Sequence, residues 1–280
     1  MALRDYINIM QFKIVTLLVL SAIAGFAAAS PHGFLALHGI AVLALSIASA
    51  GAGAEVLNKM LEVDVDSRME RTKHRPSVTG EIKPAAGVAL GVLLSGTGVA
   101  LGYLINPATA LMVLLGILFY VVVYTKLLKK RTRFSVVIGG LAGSFCVWAG
   151  STAASGTVRA PELLLGLLVL FWIPGHIWSF ALKYRKDYIR AKVPMLTAVS
   201  SIKTGSRAIA AANALMALLA LYLSVYLGMY YASIVFIPLA ATLWLSARTV
   251  VDSKNAWSLF RFSSVFLALA FFAVIAAHFL

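Results

Sequence analysis

The sequence predicts an all-α fold, a polytopic membrane bundle of nine transmembrane helices with its chemistry at the cytoplasmic side. Three observations carry that expectation. Of the 280 residues, 61% are hydrophobic and only 12% are charged, where a soluble fold would carry about a quarter charged. Nine apolar runs each approach the roughly 20 residues that cross a bilayer as a helix. The basic residues gather in every second loop.

The runs are, in order, 12–30, 34–57, 84–104, 108–127, 134–155, 161–182, 208–227, 230–247 and 259–280. Backbone amides inside lipid must bond within their own segment, so each run is expected to be helical. An amphipathic start at residues 3–12 leads into the first run, which is long enough to span and is expected to stay in the mature protein. Glycine is frequent inside the runs, as at Gly139, Gly140 and Gly143, and small residues let membrane helices pack closely. Spans consume the length, so one membrane domain over 1–280 is expected. Cys146 is the single cysteine; it cannot form an internal disulfide and reads as a small apolar filler.

Of the 24 lysines and arginines, 23 lie in or at the edges of the N-terminal segment and the even-numbered connections, and only Arg159 falls on the other side. The positive-inside rule then places the N-terminus in the cytoplasm and the C-terminus outside, in a multi-pass protein of the cell (plasma) membrane. This distribution accounts for the net charge of +14 without nucleic acid as a partner. Nine of the ten acidic residues, all but Glu162, share the basic side. A transporter that moves charge keeps ionisable groups near mid-bilayer. Here the helix middles are nearly free of them, which disfavours that reading.

Two motifs carry the chemistry. After the second run, Asn58, Glu62 and Asp66 are spaced by four, so on one continuous helix they fall within about 80°. Their mutual repulsion calls for a cation, and hard oxygen ligands without histidine or cysteine select Mg²⁺, which binds through one or two carboxylates plus substrate phosphates. Asp64 points off that face, toward a second ion or an arginine. Arg71 and Arg75 follow; arginine grips phosphate oxygens bidentately, although most such cations merely anchor the loop at the membrane surface. After the sixth run, His176, Phe180, Lys183 and Asp187 share a helical face, with Tyr184 beside them. Asp187 is either a ligand facing the first motif or a salt-bridge partner of Lys183. His176 is either a satisfied buried histidine or a substrate contact. Each motif runs into a proline, Pro76 and Pro194, suggesting two half-sites face to face. Between them the basic run around Lys129 offers one lysine to a leaving phosphate group.

Together these residues resemble the UbiA-type intramembrane prenyltransferase superfamily, which carries an Asn-x3-Asp-x3-Asp motif after its second helix and a second acidic motif after its sixth. The resemblance covers nearly the whole chain, including Tyr124, Thr125, Leu128 and Lys129. Met69 to Lys73 followed by Arg75 and Pro76, with Asp187, Tyr188 and the stretch Val193 to Leu196, resemble its heme-farnesylating branch in particular. The chain departs from the pattern at Glu62, where the superfamily usually has aspartate. It departs again at Gln11, Phe12 and Lys13, in place of Lys-Pro-Arg, and at Cys146 to Trp148, where the fifth helix usually carries a proline.

The resemblance implies transfer of a farnesyl group from farnesyl diphosphate to a vinyl group of protoheme IX (heme B), giving heme O. It implies Mg²⁺ on Asn58, Glu62, Asp66 and Asp187, the catalytic set. It implies substrate binding by Asp64, Arg71, Arg75, Lys129, His176, Lys183 and Tyr184. Heme is then a substrate rather than a cofactor, and heme A synthase or a terminal oxidase is the expected recipient of the product. The alternatives are another acceptor within the superfamily, such as a quinone-precursor ring or a glycerol-phosphate lipid, and a secondary transporter.

Overall fold

The computed structural model of the protein describes residues 9–30 and 37–277. Most of the expected amphipathic start, the first residues of the second run and the last of the ninth lie outside the described residues. Within them the chain is helical and without strands. The helices α1 (Phe12–Ala29), α2 (Leu37–Leu61), α5 (Pro84–Ile105), α6 (Pro107–Leu118), α8 (Leu141–Ser155), α9 (Ala160–Lys183), α12 (Ile202–Val251) and α13 (Ala256–Ala277) build the bundle. Four short helices, α3 (Val63–Asp66), α4 (Pro76–Thr79), α10 (Arg185–Arg190) and α11 (Leu196–Val199), lie in the two motif-bearing loops. A fifth, α7 (Ser135–Gly139), precedes α8.

Eight helical segments are long and apolar enough to cross a membrane. One of them, α12, has 50 residues, far beyond the ~20 that a bilayer accepts. Gly228 interrupts it with φ 77° and ψ −173°, a backbone conformation open only to glycine. The interruption makes two spans of α12, so nine membrane segments stand among the described residues, as the nine runs predict.

Packing follows side-chain size. On α5 the small residues Gly87, Gly91, Ser95, Gly98 and Gly102 are buried while Val92, Leu93, Tyr103 and Leu104 are exposed. The small stripe lies against α2, where Ser46 Oγ donates to the Gly98 carbonyl at 2.6 Å. The bulky side faces outward, as a lipid-facing surface should. The seam between α1 and α8 is tighter still. A Cβ on Gly25 would strike the Val147 carbonyl, and one on Gly150 would strike that of Ala22.

Caps mark the segment ends. Asn106 precedes Pro107 and accepts from Thr109 N at 2.8 Å; Ser201 accepts from Thr204 N at 3.1 Å at the head of α12. At the opposite end of the bundle from the motifs, the Glu162 side chain accepts from Arg159 N at 2.8 Å, and Arg159 reaches the Ala29 carbonyl at 3.1 Å.

Near the motifs the helices break. Beyond Leu61, Glu62 leaves helical geometry (φ −110°, ψ 13°) before the single turn of α3. Beyond Lys183, Tyr184 does the same (φ −102°, ψ 28°) before α10. The two continuous faces expected from spacing, Asn58–Glu62–Asp66 and His176–Lys183–Asp187, are therefore each bent at one residue. From Phe119 to Leu128 the helix continuing α6 widens into a π-helix.

Candidate active site

The carboxylates of the first motif are buried, Glu62 at 2% and Asp66 at 3% exposure. Burial of a charge requires a partner, and each has one. Lys129 Nζ meets Glu62 Oε2 at 2.6 Å, and Arg75 meets Asp66 Oδ2 at 2.6 Å. Burial disfavours the Lys129 charge, but Glu62 beside it more than offsets this and holds its pKa above the ordinary lysine value. Asn58 donates through Nδ2 to Thr125 Oγ1 at 3.0 Å. Thr72 holds the Asp66 backbone carbonyl at 2.9 Å, tying the loop after α3 to its own start.

Asp64 lies off this face, and the side chain it meets is a lysine. It pairs with Lys130 at 2.7 Å on the surface. Burial opposes ionisation of Asp64, but Lys130 and neighbouring backbone N–H groups together outweigh it, so its pKa lies below the usual carboxylate value.

The second motif meets the first directly. Asp187, 8% exposed, accepts from the backbone N–H groups of Glu70 at 3.3 Å and Arg71 at 3.4 Å. Glu70 in turn receives Arg190 at 2.6 Å. These contacts join positions more than a hundred residues apart and put the two loops face to face, as the two half-sites suggest. Asp187 is not the salt-bridge partner of Lys183. The break at Tyr184 turns it away, and Lys183 is exposed on an open groove of about 700 Å³ that Arg71, Tyr184 and Asp187 also line.

Arg71 lies over the Phe180 ring at 4.8 Å and near that of Tyr184 at 5.5 Å. Close packing, and after it the neighbouring Arg75, lower its pKa from the ordinary arginine value, yet guanidinium stays charged throughout the physiological range. From Phe180 an aromatic wall runs into the bundle. Phe260 lies 4.9 Å from Phe180 and 4.3 Å from His176, and Trp172 stacks on His176 at 4.1 Å. Trp257 stands edge-on to Tyr184 at 6.0 Å. His176 Nδ1 bonds Ser263 Oγ at 2.8 Å. It is thus buried and hydrogen-bonded, and its ring also belongs to the aromatic wall.

The residues expected to share one metal do not form a closed cage. Among the described residues no three histidine, cysteine or acidic side chains converge at metal-holding distance. Glu62, Asp66 and Asp187 are each tied to a cation or an amide instead. One observation does fit a cation: Glu62 Oε1 is buried without any hydrogen-bond partner, an acceptor left open beside the Asn58 amide. A small number of carboxylate oxygens plus phosphate oxygens is how Mg²⁺ is commonly bound.

Sequence reasoning missed a buried polar group next to this site. Lys59 reads in the sequence as one of the loop cations, but α2 continues past it, and it is 4% exposed. It forms an ion pair with Glu55, also 4% exposed. Tyr120 donates its hydroxyl to Glu55 Oε1 at 2.7 Å. The i,i+4 spacing of Glu55 and Lys59 was the available signal. Trp257, Phe260 and Ser263 were missed because they sit on the last helix, two hundred residues from the first motif.

The helix order, the two facing loops and the buried acids at one end define a class, and comparison gives it a family. Residues 18–275 match the model of the UbiA prenyltransferase family. The chain belongs to that family and is a multi-pass membrane enzyme, a prenyltransferase. Its relatives narrow the class. It is 38% identical over 279 residues to a protoheme IX farnesyltransferase of Sulfurisphaera tokodaii, covering 98% of this chain and 92% of that one. It is 40% identical over 275 residues to a protein of the same name from Sulfolobus acidocaldarius, covering 98% and 95%. Among solved structures, a UbiA homolog from Archaeoglobus fulgidus bound to DMAPP and Mg²⁺ superposes with a TM-score of 0.72 at 16% identity, covering 97% of this chain and 99% of that one.

Proposed function

We propose that this prenyltransferase transfers a farnesyl group from farnesyl diphosphate to a vinyl group of heme B, giving heme O. The observation that carries the reading is the meeting of the two loops. Asp187 accepts from Glu70 and Arg71, which sets Arg71 at the mouth of the aromatic wall and close to the buried carboxylates. Two named relatives at about 40% identity support the acceptor, and the Mg²⁺-bound neighbour of the same fold supports the metal.

Asn58 and Glu62 offer open oxygens to Mg²⁺, and Asp66 and Asp187 supply further carboxylates across the gap. When bound, the cation withdraws charge from the diphosphate. This chain's own basic side chains add to that neutralisation, with Arg71, Arg75 and Lys129 among the carboxylates and Lys183 on the adjoining groove. The allylic C–O bond breaks with its electron pair leaving on diphosphate. Phe180, Phe260, Tyr184 and the stacked His176 form an apolar, π-rich surface that holds the prenyl cation and keeps water from it. The terminal vinyl carbon supplies the electrons for the new C–C bond. Water then adds at the carbon beside the ring and releases a proton, leaving the hydroxyethylfarnesyl group. Asp64 contributes by holding Lys130 at the rim.

The excess of basic residues in these loops supports an orientation with this end of the bundle and the N-terminus in the cytoplasm and the C-terminus outside, in the cell membrane. Residues 1–280 act as one domain, and the greasy product passes within the bilayer to heme A synthase or a terminal oxidase. The test is product analysis with purified protein in detergent, supplied with heme B, farnesyl diphosphate and Mg²⁺. Heme O from the wild type and none from Asp66→Ala is expected. Diphosphate released without heme O would overturn the acceptor while keeping the transferase.

A further inference from the structure

The π-helical stretch Phe119–Leu128 aligns residues that an α-helix would scatter. At about 100° per residue, an α-helix puts Thr125 roughly 140° and Lys129 about 180° from Tyr120. With bonds from i to i+5 and about 4.4 residues per turn, the same three fall within roughly 50°. The wide register shows in the bonds themselves. Thr125 Oγ1 donates to the Tyr120 carbonyl, five residues back, at 2.8 Å, and Lys129 N donates to the Tyr124 carbonyl at 2.8 Å.

Opposite them stand Glu55 and Asn58 on α2, about 60° apart around its axis, with Glu62 just past its end. Three bonds join the two faces: Tyr120 to Glu55 at 2.7 Å, Asn58 to Thr125 at 3.0 Å and Lys129 to Glu62 at 2.6 Å. A ten-residue π-segment is rare, and such segments recur at functional sites.

The middle bond has a direction that can be deduced. The Tyr120 carbonyl can only accept, so the single hydroxyl proton of Thr125 goes to it. Thr125 Oγ1 must then accept from Asn58, which obliges the amide to offer Nδ2–H. The Asn58 carbonyl oxygen is thereby turned away from Thr125. One turn further along the chain, Glu62 Oε1 is buried without a donor. Of these two oxygens, only the second is fixed by its own covalent symmetry. A carboxylate presents oxygen whichever way it turns, whereas an amide presents oxygen or NH₂.

We propose that Thr125 is a positioning residue that acts through Asn58: the π-register delivers its hydroxyl to the amide and holds Asn58 Oδ1 toward the cation. The inference rests on the reading of Asn58 as a metal ligand. Groups that orient a ligand in this way commonly alter metal affinity 10–100-fold.

Mn²⁺ binding by the intact protein in detergent, followed by electron paramagnetic resonance with an unreactive prenyl thiolodiphosphate present, reads this without turnover. Thr125→Val, which removes the hydroxyl at nearly constant shape, is expected to weaken binding at least tenfold. Thr125→Ser is expected to stay within about threefold of wild type. Thr125→Ala repeats the test should valine prevent folding. In an Asn58→Asp background, where both terminal atoms are oxygen, losing the hydroxyl is expected to cost less than threefold. Asn58→Ala is the control for the ligand itself. If it binds Mn²⁺ like wild type, the ligand reading fails and the proposal with it. If Asn58→Ala loses binding while Thr125→Val does not, the positioning role alone is overturned. A tenfold loss from Thr125→Val that persists with Asn58→Asp also overturns it, since orientation would then not be the cause.

Discussion

Removing Lys59 should destabilise the bundle far more than removing both members of its pair. Lys59 and Glu55 are each 4% exposed, and beyond Lys59 the Glu55 carboxylate keeps only the Tyr120 hydroxyl among the described residues. In Lys59→Met the stem volume survives and the charge does not, so an uncompensated carboxylate is left in the apolar interior. Breaking a buried pair in this way costs about 3–5 kcal/mol, whereas replacing both partners with apolar residues is close to neutral. At roughly 2–4 °C per kcal/mol for a chain of this size, the single substitution should lower the melting temperature by on the order of 10 °C. The double variant Glu55→Leu with Lys59→Met should recover most of that. Its residual loss, about 1 kcal/mol, is the Tyr120 hydroxyl left without an acceptor. The assay is thermal unfolding followed by tryptophan fluorescence, in one detergent and at one scan rate, because membrane-protein unfolding is commonly irreversible. A single variant within about 2 °C of wild type, or a double variant as unstable as the two singles summed, would refute the reasoning.

Three further outcomes are expected. Lys129→Met should abolish most prenyl transfer and lower stability by about 3–5 kcal/mol, because Glu62 is buried with no other cation on it among the described residues; Lys130→Met, whose partner Asp64 is exposed, should cost under about 1 kcal/mol. Both are measured by turnover and melting on the same preparations. Chelation of divalent metal should stop diphosphate release and added Mg²⁺ should restore it, whereas restoration by monovalent salt alone would count against the metal site. Gly228→Ala should cost about 1–3 kcal/mol, since alanine does not tolerate φ 77° with ψ −173°; equal melting temperatures would mean that the two halves of α12 can be joined in another way.

The fold was legible because lipid imposes it. Length, hydropathy and loop charge each encode the span count locally, and even the joint between the seventh and eighth runs shows as Gly228 and Met229 between apolar stretches. The site was legible only in part. Asn58, Glu62 and Asp66 are readable as a face because they are close in sequence, and so is their relation to Arg75. The bends at Glu62 and Tyr184 are not, since nothing in their neighbours demands that a helix stop there; the one at Tyr184 undoes the alternative pairing of Lys183 with Asp187. The π-register was also invisible. Read at 100° per residue, Tyr120, Thr125 and Lys129 look unrelated, and their common face exists only once the hydrogen-bond period has changed. The aromatic wall around His176 depends on packing between the sixth and last spans, which no local pattern records.

The seam at Gly25 and Gly150 bears on how damaging substitutions in this chain should be sorted. Both glycines stand where main chain touches main chain between α1 and α8, and neither belongs to the motifs. Any side chain there drives two membrane spans apart, so these positions should be as intolerant as the buried acids of the motifs. The two kinds of failure leave different traces. Seam variants should be depleted from the membrane by quality control before they are ever assayed, while variants at the proposed ligand Asn58, which breaks no ion pair, should accumulate at normal levels and be inert. Protein abundance, measured alongside pigment, would therefore divide a set of inactive alleles into those that fail to assemble and those that fail to react.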